Sequence, residues 1–271
     1  MGLPGWLRVL ELNQTDTRKD ANMDPRTLQG KVILITGAAR SLGAAFADYF
    51  ENVGATSIRT DLNDSASNVE KLDVRSREDW ETVVNRAVAR YGKIDGLVNN
   101  AAMLYRMIPF HEEPDDEFAE LLRVNVMGPW LGMQVVSREM AAKGGGSIIN
   151  MSSTSGMMGA PVFGGYGTTR WAVRGMTKHT AADLISKRIR VNSIHPHGIM
   201  NVDGTPTAMV AMFQPEDPVE AAQRLLEIRS PLGRDGTTDD LGSIAALLLS
   251  DEGSWITGRE FVIDGGGTLH P

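Results

Sequence analysis

Lys31-Val-Ile-Leu-Ile-Thr36, followed at once by Gly37-Ala-Ala-Arg-Ser-Leu-Gly43, is the stretch that decides the fold. Its first half is a short, wholly apolar run rich in β-branched residues, which suits a parallel strand buried on both faces. An alanine-rich helix is expected next, from about Leu42 to Val53. Between them lies a glycine-bearing turn. Such a turn lets backbone come close to a pyrophosphate, and the helix amino end adds free N–H groups and a favourable dipole. Strand, turn and helix in this order open a doubly wound sheet.

The alternation continues along the chain. A short strand is expected to end at Asp61 and another to lie around Val69–Leu72. A helix starts near Ser76, where Ser76 and Asp79 form an N-cap with an acidic partner. Ile94–Asn99 reads as a strand, Asp115 to about Lys143 as one long helix, and Ser147–Met151 as a strand. The helix carrying Tyr166 should run to about Ser186, with a strand over 188–194 after it. Pro and Gly punctuation at 196–206 opens an irregular segment; Asp239–Leu249 then reads as a helix and Glu260–Ile263 as a closing strand. Strands separated by helices of this length require right-handed crossovers, and so a parallel sheet with helices on both faces. The expected fold is therefore α/β, a doubly wound Rossmann-like sheet in one domain over residues 28–271. Residues 1–27 end in a polar stretch without periodicity and read as a loosely ordered extension.

Composition narrows the function. A formal net charge of −7 leaves no basic footprint for nucleic acid. The absence of cysteine excludes disulfide scaffolds, thiolate zinc sites and cysteine nucleophiles. No run approaches the length of a membrane span. The apolar start is interrupted by Arg8 and Glu11, and Trp6 stands where a myristoylation signal wants a hydroxyl. These features point to a cytoplasmic protein.

Chemistry is concentrated in one spacing: Ser153, Tyr166 thirteen residues on, and Arg170 four residues further. Positions i and i+4 share a helix face, so a phenol and a permanent cation should sit side by side. A neighbouring positive charge favours a phenolate, which makes a tyrosine usable as a proton donor or acceptor. The segment resembles the catalytic stretch of the short-chain dehydrogenase/reductase family, in which a serine precedes Tyr-x-x-x-Lys; here the lysine is Arg170. The resemblance implies four catalytic residues. Asn125, in Arg-Val-Asn-Val-Met-Gly, would hold a water while kinking its helix. Ser153 would polarise the substrate oxygen, with Ser152 and Ser155 as neighbours that the thirteen-residue interval sets aside. Tyr166 would pass the proton. Arg170 would keep the lysine's charge, though a guanidinium does not readily release a proton.

The same resemblance places a dinucleotide. The family turn is Thr-Gly-x-x-x-Gly-x-Gly, matched by Gly37, Arg40, Ser41, Leu42 and Gly43, with serine at the second glycine. Asp61 stands 24 residues after Gly37 at a strand end, where a carboxylate accepts from ribose hydroxyls and repels a 2′-phosphate. Arg59 should face the other side of that strand. NAD is the expected cofactor. Asp73-Val74 matches the family's adenine contact. Asn99-Asn100-Ala101-Ala102 resembles its Asn-Asn-Ala-Gly. His195-Pro196-His197-Gly198-Ile199 resembles the Pro-Gly turn beside the nicotinamide. No carboxylate or cysteine completes a metal set around the two histidines, and no metal is expected.

Met157, Met158 and Phe163, together with Met200, Met209, Val210, Met212 and Phe213 in the segment from Ile199 to Leu232, suggest a hydrophobic pocket. Similarity leans toward hydroxysteroid or cyclic-alcohol dehydrogenases, so the expected activity is interconversion of a hydrophobic secondary alcohol and its ketone. The alternatives are a catalytically impaired NAD(H)-binding sensor or scaffold, or another reaction on the same fold. By resemblance, the helices at Asp115–Lys143 and Tyr166–Ser186 would pair copies into a homodimer or homotetramer.

Overall fold

The computed structural model describes residues 27–63, 68–104, 108–197, 199–200, 231–234 and 236–269. The extension expected over 1–27 lies outside these apart from Thr27, as do Gly198 and the pocket candidates Met209, Val210, Met212 and Phe213.

Seven parallel strands form one sheet in the order β3-β2-β1-β4-β5-β6-β9. They are β1 (Val32–Thr36), β2 (Thr56–Asp61), β3 (Val69–Lys71), β4 (Gly96–Asn99), β5 (Gly146–Met151), β6 (Ile189–Pro196) and β9 (Glu260–Ile263). A separate two-residue pair joins β7 (Ile199–Met200) to β8 (Gly236–Thr237). The expected doubly wound α/β domain is thus observed.

Why β1 is apolar from Val32 to Ile35 follows from its place in the middle of that sheet. Val32 and Leu34 point into one core, with Trp80, Val83, Met133, Val136 and Ala181. Ile33 and Ile35 point into the other, with Phe46, Phe50, Leu241 and Ala245. Both faces are covered, so alternation gives way to a continuous hydrophobic run. The first layer comes from α2 (Arg77–Tyr91), α4 (Gly128–Ala142) and α5 (Gly164–Leu184), the second from α1 (Ser41–Asn52) and α6 (Thr238–Leu249). Among the described residues no helix is long and apolar enough to cross a membrane.

The long helix expected over Asp115–Lys143 is broken in register. It consists of α3 (Asp115–Leu122), a π-helical segment over Arg123–Met127 and α4. Such wide turns occur mostly at functional positions. Asn125 lies at its centre and is fully buried. The Ser76 cap is present: its Oγ accepts from the Asp79 N–H at 3.1 Å and donates to Asp79 Oδ1 at 2.9 Å.

Strand order reverses between β1 and β4, and at that switch point the carboxyl ends of parallel strands leave a crevice. Of the described site candidates, Tyr166 and Arg170 sit on α5, Asn125 on the π-helical segment, and the others at or beside the strand ends that open here.

Candidate active site

At the β1 end, Gly37 has a φ of +67°, and a β-carbon there would lie 2.9 Å from the Ala101 Cα. At Gly43 a β-carbon would collide with the Gly37 carbonyl oxygen and sit 2.6 Å from Asn100 Nδ2. Both glycines are therefore required by close approach of backbone. Asn100 Nδ2 donates to the carbonyls of Thr36 at 2.9 Å and Gly37 at 3.2 Å. Thr36 Oγ1 accepts from the N–H groups of Asn100 and Ala101, each at 3.0 Å. The Asn99–Ala102 turn and the glycine turn are stitched into one unit, with Ala102 exposed at its tip. Leu42 packs against the α1-side core, and Arg40 is the exposed residue preceding α1.

Ser41, at the position of the family turn's second glycine, has a φ of +52°, in the left-handed region. A side chain there costs about 1–2 kcal/mol, while glycine's extra freedom in the unfolded chain returns about 0.4–1 kcal/mol of that difference. Ser41→Gly is expected to raise stability by roughly 0.5–1 kcal/mol. A higher urea midpoint at unchanged m-value checks it.

Asp61 ends β2, and its Oδ2 accepts from the Ala39 N–H of the glycine turn at 3.1 Å. Arg59 faces away, paired with Asp48 at 2.6 Å and Glu51 at 2.9 Å on α1. The Asp73 carboxylate takes the Arg75 guanidinium through both oxygens, and those hydrogen bonds hold its pKa below the ordinary value against the opposing effect of burial. With the Arg75 backbone N–H also donating to Oδ1 at 3.0 Å and Nε shared with Oδ2 at 3.1 Å, its roughly four lone-pair sites are taken by Arg75. Val74 is buried beside it, its carbonyl accepting from the Trp80 indole at 3.0 Å.

At the reacting end, Tyr166 occupies the first turn of α5 and is half-buried. The Arg170 guanidinium lies over its ring, 4.7 Å from the centroid, as a cation–π pair. Arg170 is only 2% exposed. Its Nη1 donates to the Met151 carbonyl on β5 at 3.1 Å, while Nε and Nη2 are buried without any partner among the described residues. A buried donor without an acceptor is costly, so this fork is built to meet something further.

The four candidates are drawn together through backbone. Ser152 Oγ donates to the Arg170 carbonyl at 3.1 Å, which occupies that hydroxyl and docks the strand end on α5. Ser153 is 4% exposed, and its Oγ accepts from the Ser155 N–H at 3.2 Å. The Asn125 amide clasps the backbone of Met103, accepting at 2.8 Å and donating at 2.9 Å, and also donates to Thr169 Oγ1 at 3.2 Å. Thr169 directly precedes Arg170, so the π segment is tied to the catalytic-candidate helix.

Three supports escaped the sequence reading. The buried His195 ring touches the Ser153 carbonyl at 3.3 Å and Ser193 Oγ at 2.8 Å, and burial pushes its pKa down. Glu113 caps α5 from a different segment, Oε2 accepting from the Gly165 N–H at 2.9 Å. A β-carbon at Gly165 would run into that carboxylate; the Gly164-Gly165 pair before Tyr166 was the available signal. Glu260 on β9 clamps α5 by pairing with Arg174 and Lys178, each at 3.0 Å, so Lys178 is held away from Tyr166.

The Arg174 hydrogen bonds, aided by Lys178, hold the Glu260 carboxyl at about 2 instead of the ordinary 4.5, against the effect of burial. A depressed carboxyl stabilises the fold above its unfolded pKa, and that contribution fades as pH falls through the folded one. Glu260→Gln is expected to lower the melting temperature at pH 7, with the gap to wild type closing between pH 4.5 and about 2. Melting curves across that window check the sign.

His197 Nδ1 lies 2.7 Å from Thr154 Oγ1, so its ring is turned onto the Ser153 loop. Among the described residues no group of three or more His, Asp or Glu lies together as a metal set. Pro196 ends β6 and Ile199 is buried, flanking Gly198. Met157 is half-buried, Met158 is exposed, and the Phe163 ring tilts against Tyr166 at 6.3 Å.

Comparison with known proteins agrees with the fold. The family described as enoyl-(acyl carrier protein) reductase matches residues 37–268. The 3-alpha-(or 20-beta)-hydroxysteroid dehydrogenase of Mycobacterium bovis is 36% identical over 252 residues, spanning 88% of this chain and 90% of that protein. The solved structure of NAD+-bound xylitol dehydrogenase superposes with a TM-score of 0.80 at 31% identity, covering 89% of this chain and 100% of the other. A gluconate 5-dehydrogenase from Burkholderia cenocepacia in complex with NADP and tartrate gives 0.82 at 29% identity, covering 92% and 99%. From Gly37 to Thr268, the chain belongs to the short-chain dehydrogenase/reductase family.

Proposed function

We propose that this protein is an NAD-dependent oxidoreductase interconverting a hydrophobic secondary alcohol and its ketone. The observation that carries the reading is the buried Arg170 fork, stacked on Tyr166 with two nitrogens unpartnered among the described residues. Those donors, and the cradle that a β-carbon at Gly37 or Gly43 would fill, fit a nicotinamide dinucleotide. When bound, that cofactor supplies the hydride chemistry at the substrate carbon.

The chain's own residues do the rest. In the oxidising direction Tyr166 Oη takes the proton from the alcohol oxygen; in the reducing direction it returns one to the carbonyl oxygen. The Ser153 hydroxyl donates to that same oxygen and orients it. The Arg170 cation stacks on the Tyr166 ring, and its N–H groups without a partner among the described residues would bind the nicotinamide ribose. Asn125 keeps the π turn open, where the altered backbone bonding can hold a water that relays protons to solvent. Asp61, beside the glycine turn with Arg59 turned away, supports NAD over NADP. Phe163 against Tyr166, with Met157 and Met158 earlier in the same segment, supports an apolar substrate, as does the hydroxysteroid relative. Trp130 on α4 and Trp171 on α5, 44% and 50% exposed, support a homodimer or homotetramer through these helices.

The test is a panel of hydrophobic secondary alcohols with NAD, read as absorbance of the reduced cofactor. Turnover of hydroxysteroids or cyclic alcohols with NAD preferred to NADP is the expected result. Tight NADH binding without turnover across the panel overturns the catalytic reading in favour of a sensor.

A further inference from the structure

The sheet has a second concave end. A cavity of about 690 Å³ lies at the amino ends of the strands, away from the glycine turn and from Tyr166. Its lining begins before β1 with Lys31, before β4 with Asp95, and at the starts of β5 and β6. This volume falls within the ~300–1,000 Å³ of small-molecule sites. The turn Gly144-Gly145, at φ of +100° and +134°, brings no side chains to fill it; a β-carbon at Gly145 would lie 2.5 Å from the Arg188 carbonyl oxygen.

The lining is chemically lopsided. Its two carboxylates are already matched: Asp251 by Lys31 at 2.7 Å and Asp95 by Lys93 at 2.9 Å. Three cations remain, Lys143, Arg188 and Arg190. Neither Lys143 nor Arg188 has an ion-pair partner among the described residues. Arg190 spends its donors on the carbonyls of Ser250 at 2.9 Å and Ile256 at 3.4 Å, and burial pulls its pKa down. Two cations without an ion-pair partner, beside the Arg190 charge that Asp251 partly offsets, make a local field that attracts anions in a chain of net charge −7. Apolar groups accompany them. Ile189 and Leu249 are buried at the floor, while Trp255, on the rim, is 98% exposed. A tryptophan bared to that degree at the mouth of a cavity is a stacking surface without a partner.

We propose that this cavity is a second binding site, taking a small organic anion with a carboxylate or phosphate on a flat apolar body. The anionic end meets Lys143 and Arg188, with the Arg190 charge behind them, and the body lies between the Ile189–Leu249 floor and the Trp255 indole. Isothermal titration with 2-naphthoate, 2-naphthyl phosphate and the neutral 2-naphthalenemethanol tests it on the full chain. The expected result is that at least one anion binds wild type and Tyr166→Phe alike, and binds Trp255→Ala and the Lys143→Gln/Arg188→Gln double variant at least about tenfold more weakly. The neutral analogue should bind wild type more weakly than the anion, and that preference should vanish in the double variant. The better anion decides between carboxylate and phosphate. Circular dichroism confirms that each variant is folded; if the double variant unfolds, the Trp255→Ala comparison decides. The proposal is overturned if neither anion binds, if binding ignores both cavity variants, or if it is lost in Tyr166→Phe.

Discussion

Turnover is expected to fall by about a thousandfold when Arg170 becomes methionine, the middle of the range over which general acid–base groups contribute. The loss should appear in kcat more than in apparent cofactor affinity, because the cation acts on Tyr166 during proton transfer. Stability should move the other way. Arg170 is 2% exposed, with Nε and Nη2 unpartnered, so an apolar side chain of similar length removes buried donors that the fold leaves unsatisfied. A melting temperature equal to or above wild type, together with collapsed activity, separates a functional role from a structural one. Arg170→Lys should preserve or raise turnover, since lysine keeps the charge on a flexible stem and can release a proton. Full activity in the methionine variant contradicts the role given to this side chain.

Gly43→Ala is expected to be the most damaging single methyl addition at the nucleotide end. The new carbon would overlap the Gly37 carbonyl and crowd Asn100 Nδ2 at 2.6 Å, both parts of the stitched turn unit. Backbone cannot swing aside as a side chain can, so α1 must shift off the turn. Overpacking of this kind costs roughly 1–3 kcal/mol, and dinucleotide affinity should fall at least about tenfold as the cradle deforms. Denaturant unfolding and NADH fluorescence titration read the two effects. Two residues earlier the sign reverses. Removing a β-carbon at Ser41, where φ is +52°, relieves strain that adding one at Gly43 would create.

Much of this was legible because the informative residues answer to local rules. The β1 run, its glycine turn and the order of later strands follow from hydrophobic period and turn chemistry, and the closing strand Glu260–Ile263 matched to the residue. The kink expected at Asn125 appears as a π segment, but its extent was hidden: Arg123–Met127 carries no Pro or Gly to mark its start, and only the Asn125 bonds to Met103 and Thr169 reveal why it forms there. The choice of Ser153 over Ser152 rested on an interval; packing adds the reason, since Ser152 is committed to the Arg170 carbonyl. What sequence could not show were contacts between distant segments. Glu113 lies 52 residues from the helix it caps, and Glu260 lies 86 from Arg174. The His197 contact with Thr154 likewise joins segments 43 residues apart. Such pairings depend on which loops the sheet brings together, and no periodicity encodes them.

The decisive measurement is a crystal structure of the protein with NADH bound. Arg170 Nε or Nη2 should lie within about 3 Å of a nicotinamide ribose hydroxyl while the guanidinium stays over the Tyr166 ring. A guanidinium turned away from both, or a nucleotide seated elsewhere than the Gly37–Gly43 turn, would contradict the assignment.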